Sequence, residues 1–389
     1  MKNHTDSKVL TFLACIFLPF SALLFINNRN VIRFLWTHPQ NLDRSSLAYI
    51  LTWDLFPTIL AGLCLAGAYS IGRFMLARFP LVRASPVRTS YYIGSGFGLQ
   101  MTSFALAGML TGIHAWLYVV FAVFIGMASL PVFLSLPYLM RQMRSGFRGA
   151  PWDGLWLGLI AYGCWHGWIQ AFAPPTLWDV VAYHLAIPKV YAQTGSLALI
   201  PWTLHGHWPH LTEIFYVLPL RSGRDNLPAL IHLGACLTLL AAIFQMGKRH
   251  LGGRAAQIAV LVFLSQRTFL DLMGTAHSDG FWALFQFLAA CAAWEGIDSE
   301  DRSLLVLSGI FSGLACSTKL LALIPTAVLA LWVGTRLAQK HRFKHVIGFM
   351  VRCWLSARRG LFATGQPRET LSGLSFRASS EGPPTPSIS

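Results

Sequence analysis

The strongest constraint on this chain is a series of apolar runs, each long enough to cross a lipid bilayer. A membrane-spanning helix needs roughly 20 apolar residues, and charged residues make up only 12% of the chain, against about 25% in a typical soluble protein. We therefore predict an all-α polytopic membrane protein with ten membrane-spanning helices. The predicted spans lie near residues 9–26, 49–71, 91–113, 115–139, 152–173, 226–246, 255–273, 277–296, 303–318 and 320–336.

The net charge of +15 first raises the question of nucleic-acid binding. The distribution of the basic residues indicates another origin. If the N-terminus is cytoplasmic and the ten spans alternate, the inner connections carry about twice as many Lys and Arg residues as the outer ones, as the positive-inside rule requires. We interpret the basic surplus as a topology signal and expect no nucleic-acid partner. The predicted location is a bacterial inner membrane.

The topology divides the chain into three parts. Residues 1–150 form N-terminal transmembrane helices, residues 151–352 form a core, and residues 353–389 form a tail rich in Ser, Pro, Gly and Arg that we expect to be disordered. The core contains the longest connection between spans, residues 174–225, which the topology places outside the cell. In this loop we predict a short amphipathic helix at 179–193 that ends at Gly195, and a second at 210–220 that begins after Pro209.

Asp179 is the first candidate for chemistry. It lies just beyond a predicted span, and on a helix Tyr183 would share its face at position i+4, with His184 next to it. A carboxylate in such company can take a proton from an acceptor hydroxyl. The alternative is a residue at a helix N-terminus that interacts with the helix dipole. The residues alone leave both readings open.

A second group of charged residues surrounds the turn between two later spans, on the same predicted outer side. Arg267 and Asp271 have the i,i+4 spacing of a structural ion pair. Asp279 stands at the start of a span, where charge is costly and is usually retained for function. Lys319, at another outer junction, can neutralise a phosphate or extend to the interface.

The outer loop also contains a histidine-rich segment and three tryptophans. The segment His205-x-His207-x-x-His210-x-x-Glu213 fits no standard zinc spacing, so we favour sugar or phosphate binding, or stabilisation of the loop, and leave a divalent metal open. The seven cysteines are scattered singly and predict neither a zinc site nor a disulfide framework. The tryptophans are typical of an interfacial belt: Trp178, Trp202 and Trp208.

Three motifs resemble membrane glycosyltransferases of the GT-C fold, in the family 39-like, phospholipid-carrier-dependent bacterial branch related to protein O-mannosyltransferases. The first comprises Trp178-Asp179-x-x-x-Tyr183-His184-Leu185-Ala186-x-Pro188-Lys189, then Gly195, then Pro201-Trp202-x-x-His205-x-x-x-Pro209-x-x-x-Glu213-x-x-Tyr216. The second is Gly274-Thr275-Ala276-His277-Ser278-Asp279, and the third is Gly313-Leu314-Ala315-x-x-x-x-Lys319.

The resemblance implies a transferase that takes a sugar from a polyprenyl-phosphate donor on the non-cytoplasmic side of the membrane. It maps the family's essential acidic residue onto Asp179 and leaves the acceptor unknown. No certain cofactor is implied. The expected substrate-binding residues are Tyr183, His184, Lys189, His205, Glu213, Arg267, Asp279 and Lys319.

Two other functions remain alternatives. A chain with ten spans and sparse charge also suits a transporter or flippase, but a transporter would place ionisable groups near the bilayer midplane. The candidate residues cluster instead at one predicted surface, which favours an enzyme. An inactive homologue, truncated at its C-terminus, is the second alternative.

Overall fold

The structure is a computed structural model that describes residues 55–146 and 151–339. In these ranges it contains helices and no strand, which confirms the predicted all-α class. The helices are α1 (Phe56–Leu76), α2 (Pro80–Ala84), α3 (Arg88–Thr111), α4 (Ala115–Gly146), α5 (Pro151–Gln170), α6 (Ala186–Thr194), α7 (Leu211–Leu220), α8 (Asn226–Leu251), α9 (Gly253–Ser265), α10 (Arg267–Met273), α11 (Asp279–Asp298), α12 (Arg302–Thr318) and α13 (Leu323–Gln339). Shorter helical turns are Val180–His184, Leu204–His207 and Leu320–Ala322.

Five helical segments in the described residues are long and apolar enough to cross a membrane: Phe56–Leu76, Ala115–Ser135, Asn226–Leu251, Asp279–Asp298 and Leu320–Gln339. Helices also form at the other predicted positions within these ranges. There α3 and α5 are rich in Gly and polar or aromatic residues, and α12 has only 17 residues. The number of ten spans therefore stays a prediction. The first predicted span and the tail at 353–389 lie outside the described residues.

The predicted span at 255–273 is not one straight helix. It consists of α9 and α10, which meet at an angle of 78°. The cause is local, because Gln266 between them adopts an extended backbone conformation (φ −69°, ψ 112°). No proline or glycine marks the break, although the polar segment Ser265-Gln266-Arg267-Thr268 interrupts the apolar run at this point.

Close helix contacts build the core around α8 and α11, which are largely buried, while α4 and α13 lie at the periphery. Small residues permit the tightest approach, between α1 and α3. A Cβ atom at Gly72 or at Gly96 would lie 1.8 Å from a backbone carbonyl oxygen of the other helix. Membrane helices commonly use such small residues to bring their backbones together. The segments of the 174–225 loop pack against this bundle through α7, which contacts both α6 and α3.

Candidate functional site

Asp179 precedes a single π-helical turn, Val180–His184, in which the amide of Leu185 donates to the carbonyl of Val180 at 2.9 Å. The predicted helix at 179–193 is therefore this turn followed by α6. As predicted, it ends at Gly195, which has the left-handed φ of 66° that favours glycine. Asp179 is exposed and makes no capping hydrogen bond, so the helix-cap interpretation finds no contact to support it.

The π-helical turn directs Tyr183 toward the carboxylates of the candidate site. Burial raises the pKa of the Tyr183 hydroxyl, and the negative charges of Asp179 and Asp279 raise it further. A side-chain hydrogen bond with Asp179 acts in the same direction. The tyrosine hydroxyl therefore stays protonated, and it lies close enough to both carboxylates for their charges to affect its pKa. A π-helical turn is rare and is frequently found at functional sites.

His184, the next residue of the turn, forms a buried pair with Glu213 of α7. Its Nδ1 atom lies 2.6 Å from Glu213 Oε1 and donates to it. The two residues are 1% and 2% exposed. This burial favours a supporting role for both over the direct substrate contact that the sequence predicted.

Asp279 and Lys319 form the second charged contact of the site. The Lys319 ammonium donates to Asp279 Oδ1 at 2.6 Å, and the two side chains are 23% and 26% exposed. The same ammonium lies 5.7 Å from the centre of the Trp282 ring. Asp279 is the first residue of α11, where the helix dipole also favours a negative charge. The motifs gave no indication of Trp282.

His277 links the two halves of the candidate site. Its ring centre lies 5.0 Å from that of His184, and its Nδ1 atom lies 2.7 Å from Thr275 Oγ1. Burial lowers the pKa of His277 to about 4, and His184 adds to this effect, while the charges of Asp279 and Asp179 oppose it. Asp179, Asp279 and His184 thus all act on one neutral imidazole.

An aromatic cluster adjoins this imidazole. Tyr183 stacks on His205 with ring centres 4.3 Å apart and an interplanar angle of 7°. Trp208 packs edge-on against both rings. Trp178 packs edge-on as well, yet 69% of its surface is exposed. His205 therefore belongs to the site by packing, and Trp178 offers an open aromatic face.

Two predicted binding residues do not join this group. Arg267 is 74% exposed and pairs with Asp271 at 3.3 Å, which is the structural ion pair that its spacing allowed. Lys189 pairs with Asp225 at 2.9 Å, and both are partly exposed. In the described part of the chain, no ion pair joins either cation to Asp179 or Asp279.

The histidines of the loop make separate contacts. His207 lies near the Thr203 carbonyl, while His210 contacts the Tyr191 hydroxyl at 3.1 Å and the His205 carbonyl at 2.7 Å. Burial lowers the pKa of His210. Within residues 55–146 and 151–339, no three His, Cys, Asp or Glu side chains are grouped so that they could hold a metal ion.

A cavity of about 310 Å³ lies beside the π-helical turn, and Val180 and Leu185 form part of its wall. The polar residues that line the cavity include Asp225 and Asp271. Asp179, Asp279 and Lys319 do not line it. Lys319 instead contacts Asp279, and the charges of Asp179 and Asp279 both act on His277.

Tyr216 and His232 were not selected as site residues from the sequence. The Tyr216 hydroxyl donates to the His277 carbonyl at 2.6 Å, and His232 Nε2 accepts from the amide of Gly280 at 2.8 Å. Tyr216 had a signal, because it is part of the first motif and follows Glu213 by three residues. His232 had none, since a single histidine in an apolar run more often fills a core position.

Comparison with known proteins gives one match. Residues 226–356 match the model of a family described as dolichyl-phosphate-mannose-protein mannosyltransferase. No curated protein and no solved structure matches the chain. The matched region contains the second and third motifs, with Asp279 and Lys319. It begins after the first motif, which contains Asp179. The match confirms the predicted resemblance to GT-C membrane glycosyltransferases, and over residues 226–356 the chain is similar to that family.

Proposed function

We propose that the protein transfers a sugar from a polyprenyl-phosphate donor to an acceptor hydroxyl at the non-cytoplasmic face of the membrane. The observation that carries this proposal is the contact of Lys319 with Asp279 beside His277, whose pKa also responds to the charge of Asp179. Two acids and one cation at the outer end of α11 match what the reaction requires: a base for the acceptor and a positive charge for the leaving phosphate.

Lys319 is the group that we assign to the donor phosphate. Its ammonium is already held by Asp279 and Trp282, so little reorganisation is needed when negative charge develops on the leaving group. Arg267 was also predicted to bind the substrate. Its exposed position and its pairing with Asp271 favour Lys319 alone.

Asp179 is the proposed base. The acceptor oxygen forms a bond to the anomeric carbon, its proton passes to the Asp179 carboxylate, and the bond from the anomeric carbon to the phosphate oxygen breaks. The phosphate leaves with the electron pair and needs no proton. Asp179 suits this step because it is exposed and makes no cap contact, and its charge raises the pKa of the neighbouring Tyr183 hydroxyl.

The contacts between loops support the proposed sidedness. The amide of Ile113 donates to the Gly195 carbonyl at 2.7 Å, which joins two predicted outer segments. Lys319 contacts Asp279, and both are predicted to be outer. Ser85 contacts Glu295, and both are predicted to be inner. These contacts respect the arrangement derived from the charges.

The 78° break between α9 and α10 is the observation that favours a transporter, because broken helices line many transport sites. In transporters, however, the break places ionisable groups at the midplane. The charged pair that follows this break, Arg267 and Asp271, is largely exposed. We therefore rank transport second. Movement of labelled lipid across vesicles without transfer of its sugar would favour it.

The test of the proposed function uses membranes that contain the protein and a set of radiolabelled polyprenyl-phosphate sugars. Transfer of label to a membrane acceptor is expected, and Asp179→Asn should reduce it by about 10²–10⁴-fold, which is the usual contribution of a general base. Asp298→Asn is the matched control, because this exposed aspartate lies at the other end of α11. Transfer that persisted in Asp179→Asn would reject the assigned base.

A further inference from the structure

One face of α7 contacts both segments that carry the proposed acids. Glu213 and Tyr216 are three residues apart and therefore project from the same side of the helix. Glu213 accepts from His184 at 2.6 Å, five residues after Asp179. Tyr216 donates to the His277 carbonyl at 2.6 Å, two residues before Asp279. A single rigid helix thus sets the separation of two segments that are far apart in sequence.

Neither residue of α7 is placed to touch a substrate. Tyr216 is fully buried and Glu213 is 2% exposed. Other residues of α7 pack into the main hydrophobic cluster, among them Phe215 and Val217. The helix is therefore fixed in the bundle from one side and holds the candidate site from the other.

The buried pair of Glu213 and His184 is a poor means of stabilising the fold. A buried ion pair usually stabilises a protein no better than apolar side chains of the same volume. Here Glu213 Oε2 and His184 Nε2 are also buried without a partner among the described residues, which adds a further cost. This cost suggests that the pair is present to fix the position of the Asp179 segment and does not serve to stabilise the protein.

We propose that Glu213 and Tyr216 are positioning residues, here called the α7 clamp, which hold the Asp179 segment and the Asp279 segment at the separation that sugar transfer requires. This inference rests on the proposed function. The clamp acts through His184 and through the backbone of His277, and it takes no part in the transfer of a proton or of the sugar.

The kinetic test compares variants that keep or remove each contact. Tyr216→Phe removes only the hydroxyl and should lower kcat by roughly 10–100-fold, because small displacements of reacting groups have effects of this size. The KM for the donor should change by less than about threefold, since the clamp holds the groups that react and does not bind the lipid. Thr212→Val is the matched control, since Thr212 is also buried on α7 and its hydroxyl has no partner among the described residues.

Glu213 provides the test that separates positioning from chemistry. Glu213→Gln keeps an oxygen that accepts from His184 and should retain at least a third of kcat, whereas Glu213→Leu has a similar volume but no acceptor and should lose about 100-fold. If Glu213→Gln were as inactive as Glu213→Leu, the charge itself would take part in the reaction and the clamp would be rejected. A Tyr216→Phe enzyme that matched Thr212→Val would reject it as well.

Hydrogen exchange gives a readout that does not depend on activity. Glu213→Leu should increase amide exchange in residues 180–185, and Tyr216→Phe should increase it in residues 274–280, while Thr212→Val leaves both unchanged. Unchanged exchange in the first two variants would overturn the clamp whatever the activity of Asp179→Asn. Increased exchange and lowered kcat, with full activity in Asp179→Asn, would retain the clamp and reject the proposed base.

Discussion

The two ends of α11 each carry a carboxylate that is at least partly shielded from water, and the two are held in different ways. At the C-terminal end, Glu295 accepts from Ser85 at 3.0 and 2.9 Å through its two oxygens, and from Tyr91 at 2.9 Å. At the N-terminal end, Asp279 meets the charged Lys319. The neighbouring His184–Glu213 pair there leaves one polar atom of each residue without a partner in the described structure.

This difference separates a structural acid from a candidate reactive one. The hydroxyls of Ser85 and Tyr91 donate to Glu295, so both of its oxygens have a partner without any further molecule. The other end is charged, and the buried pair beside it keeps unsatisfied polar atoms, which is typical of a functional site. Glu295 follows Asp279 by sixteen positions, which places the two ends about 24 Å apart, most of the roughly 30 Å thickness of the bilayer core. The two ends should therefore face opposite sides of the membrane.

The largest expected effect is an all-or-none difference in labelling between these sides. Cysteine at the exposed position Val181 should react with an impermeant thiol reagent added outside the cell, whereas Asp298→Cys should react only after the membrane is permeabilised. The wild-type chain, with its own seven cysteines, gives the background. Labelling of Asp298→Cys in intact cells would contradict the topology and with it the comparison of the two ends.

The next largest effect is a loss of sugar transfer at one end of α11 and a loss of thermal stability at the other. Asp279→Asn and Lys319→Met should each lower sugar transfer by about 10²-fold or more, because they remove the preformed charge at the phosphate site. Glu295→Gln should leave transfer within about threefold but lower the melting temperature, since a buried satisfied acceptor is altered. Transfer assays and thermal denaturation in detergent measure both. A reversal of this pattern would assign the functional role to the inner end.

A smaller effect is expected within the histidine-rich loop. His205→Ala removes the ring that stacks on Tyr183 and should raise the KM or lower kcat by about tenfold, an order of magnitude that corresponds to roughly 1.4 kcal/mol. His207→Ala, at an exposed ring, should change either constant by less than about twofold. Chelators should have little effect on the wild type. Inhibition by a chelator that a divalent ion reverses would instead support a metal.

The smallest expected effect is a pH dependence of stability from His277, whose pKa is lowered to about 4, from about 6.5 in an unfolded chain. Because the unfolded chain takes up the proton first, stability is complete above pH 6.5 and is lost as the pH falls toward 4. Between pH 7 and pH 5.5 the loss should be about 1 kcal/mol. His277→Gln, which cannot titrate, should lack this component in denaturation curves at the two pH values.

The sequence predicted those features that depend on local signals. Gly195 ended its helix and Pro209 preceded α7, because each residue restricts the backbone at its own position. The ion pair of Arg267 and Asp271 followed from helical spacing. Lys319 and Asp279 were placed on one side by charge counting alone, and their contact agrees with that placement.

Other features depend on contacts between distant residues and had no local signal. The pair of His184 and Glu213 joins positions 29 residues apart, and the carbonyl of His277 is reached from Tyr216, 61 residues earlier. The break at Gln266 falls in the polar segment Ser265-Gln266-Arg267-Thr268, but no proline or glycine there requires the helix to bend. Such choices are made by packing, which the periodicity of one segment does not encode.

The π-helical turn has a consequence for the length of this segment. A π-helical turn contains one residue more than the α-helical turn that it replaces, and each helical residue rotates the side chains that follow by about 100°. Deleting Val181, whose side chain is 51% exposed, would thus turn Tyr183 and His184 away from their partners. Replacing it by another residue would not. At this position the orientation of Tyr183 and His184 depends on the presence of a residue and does not depend on which residue it is.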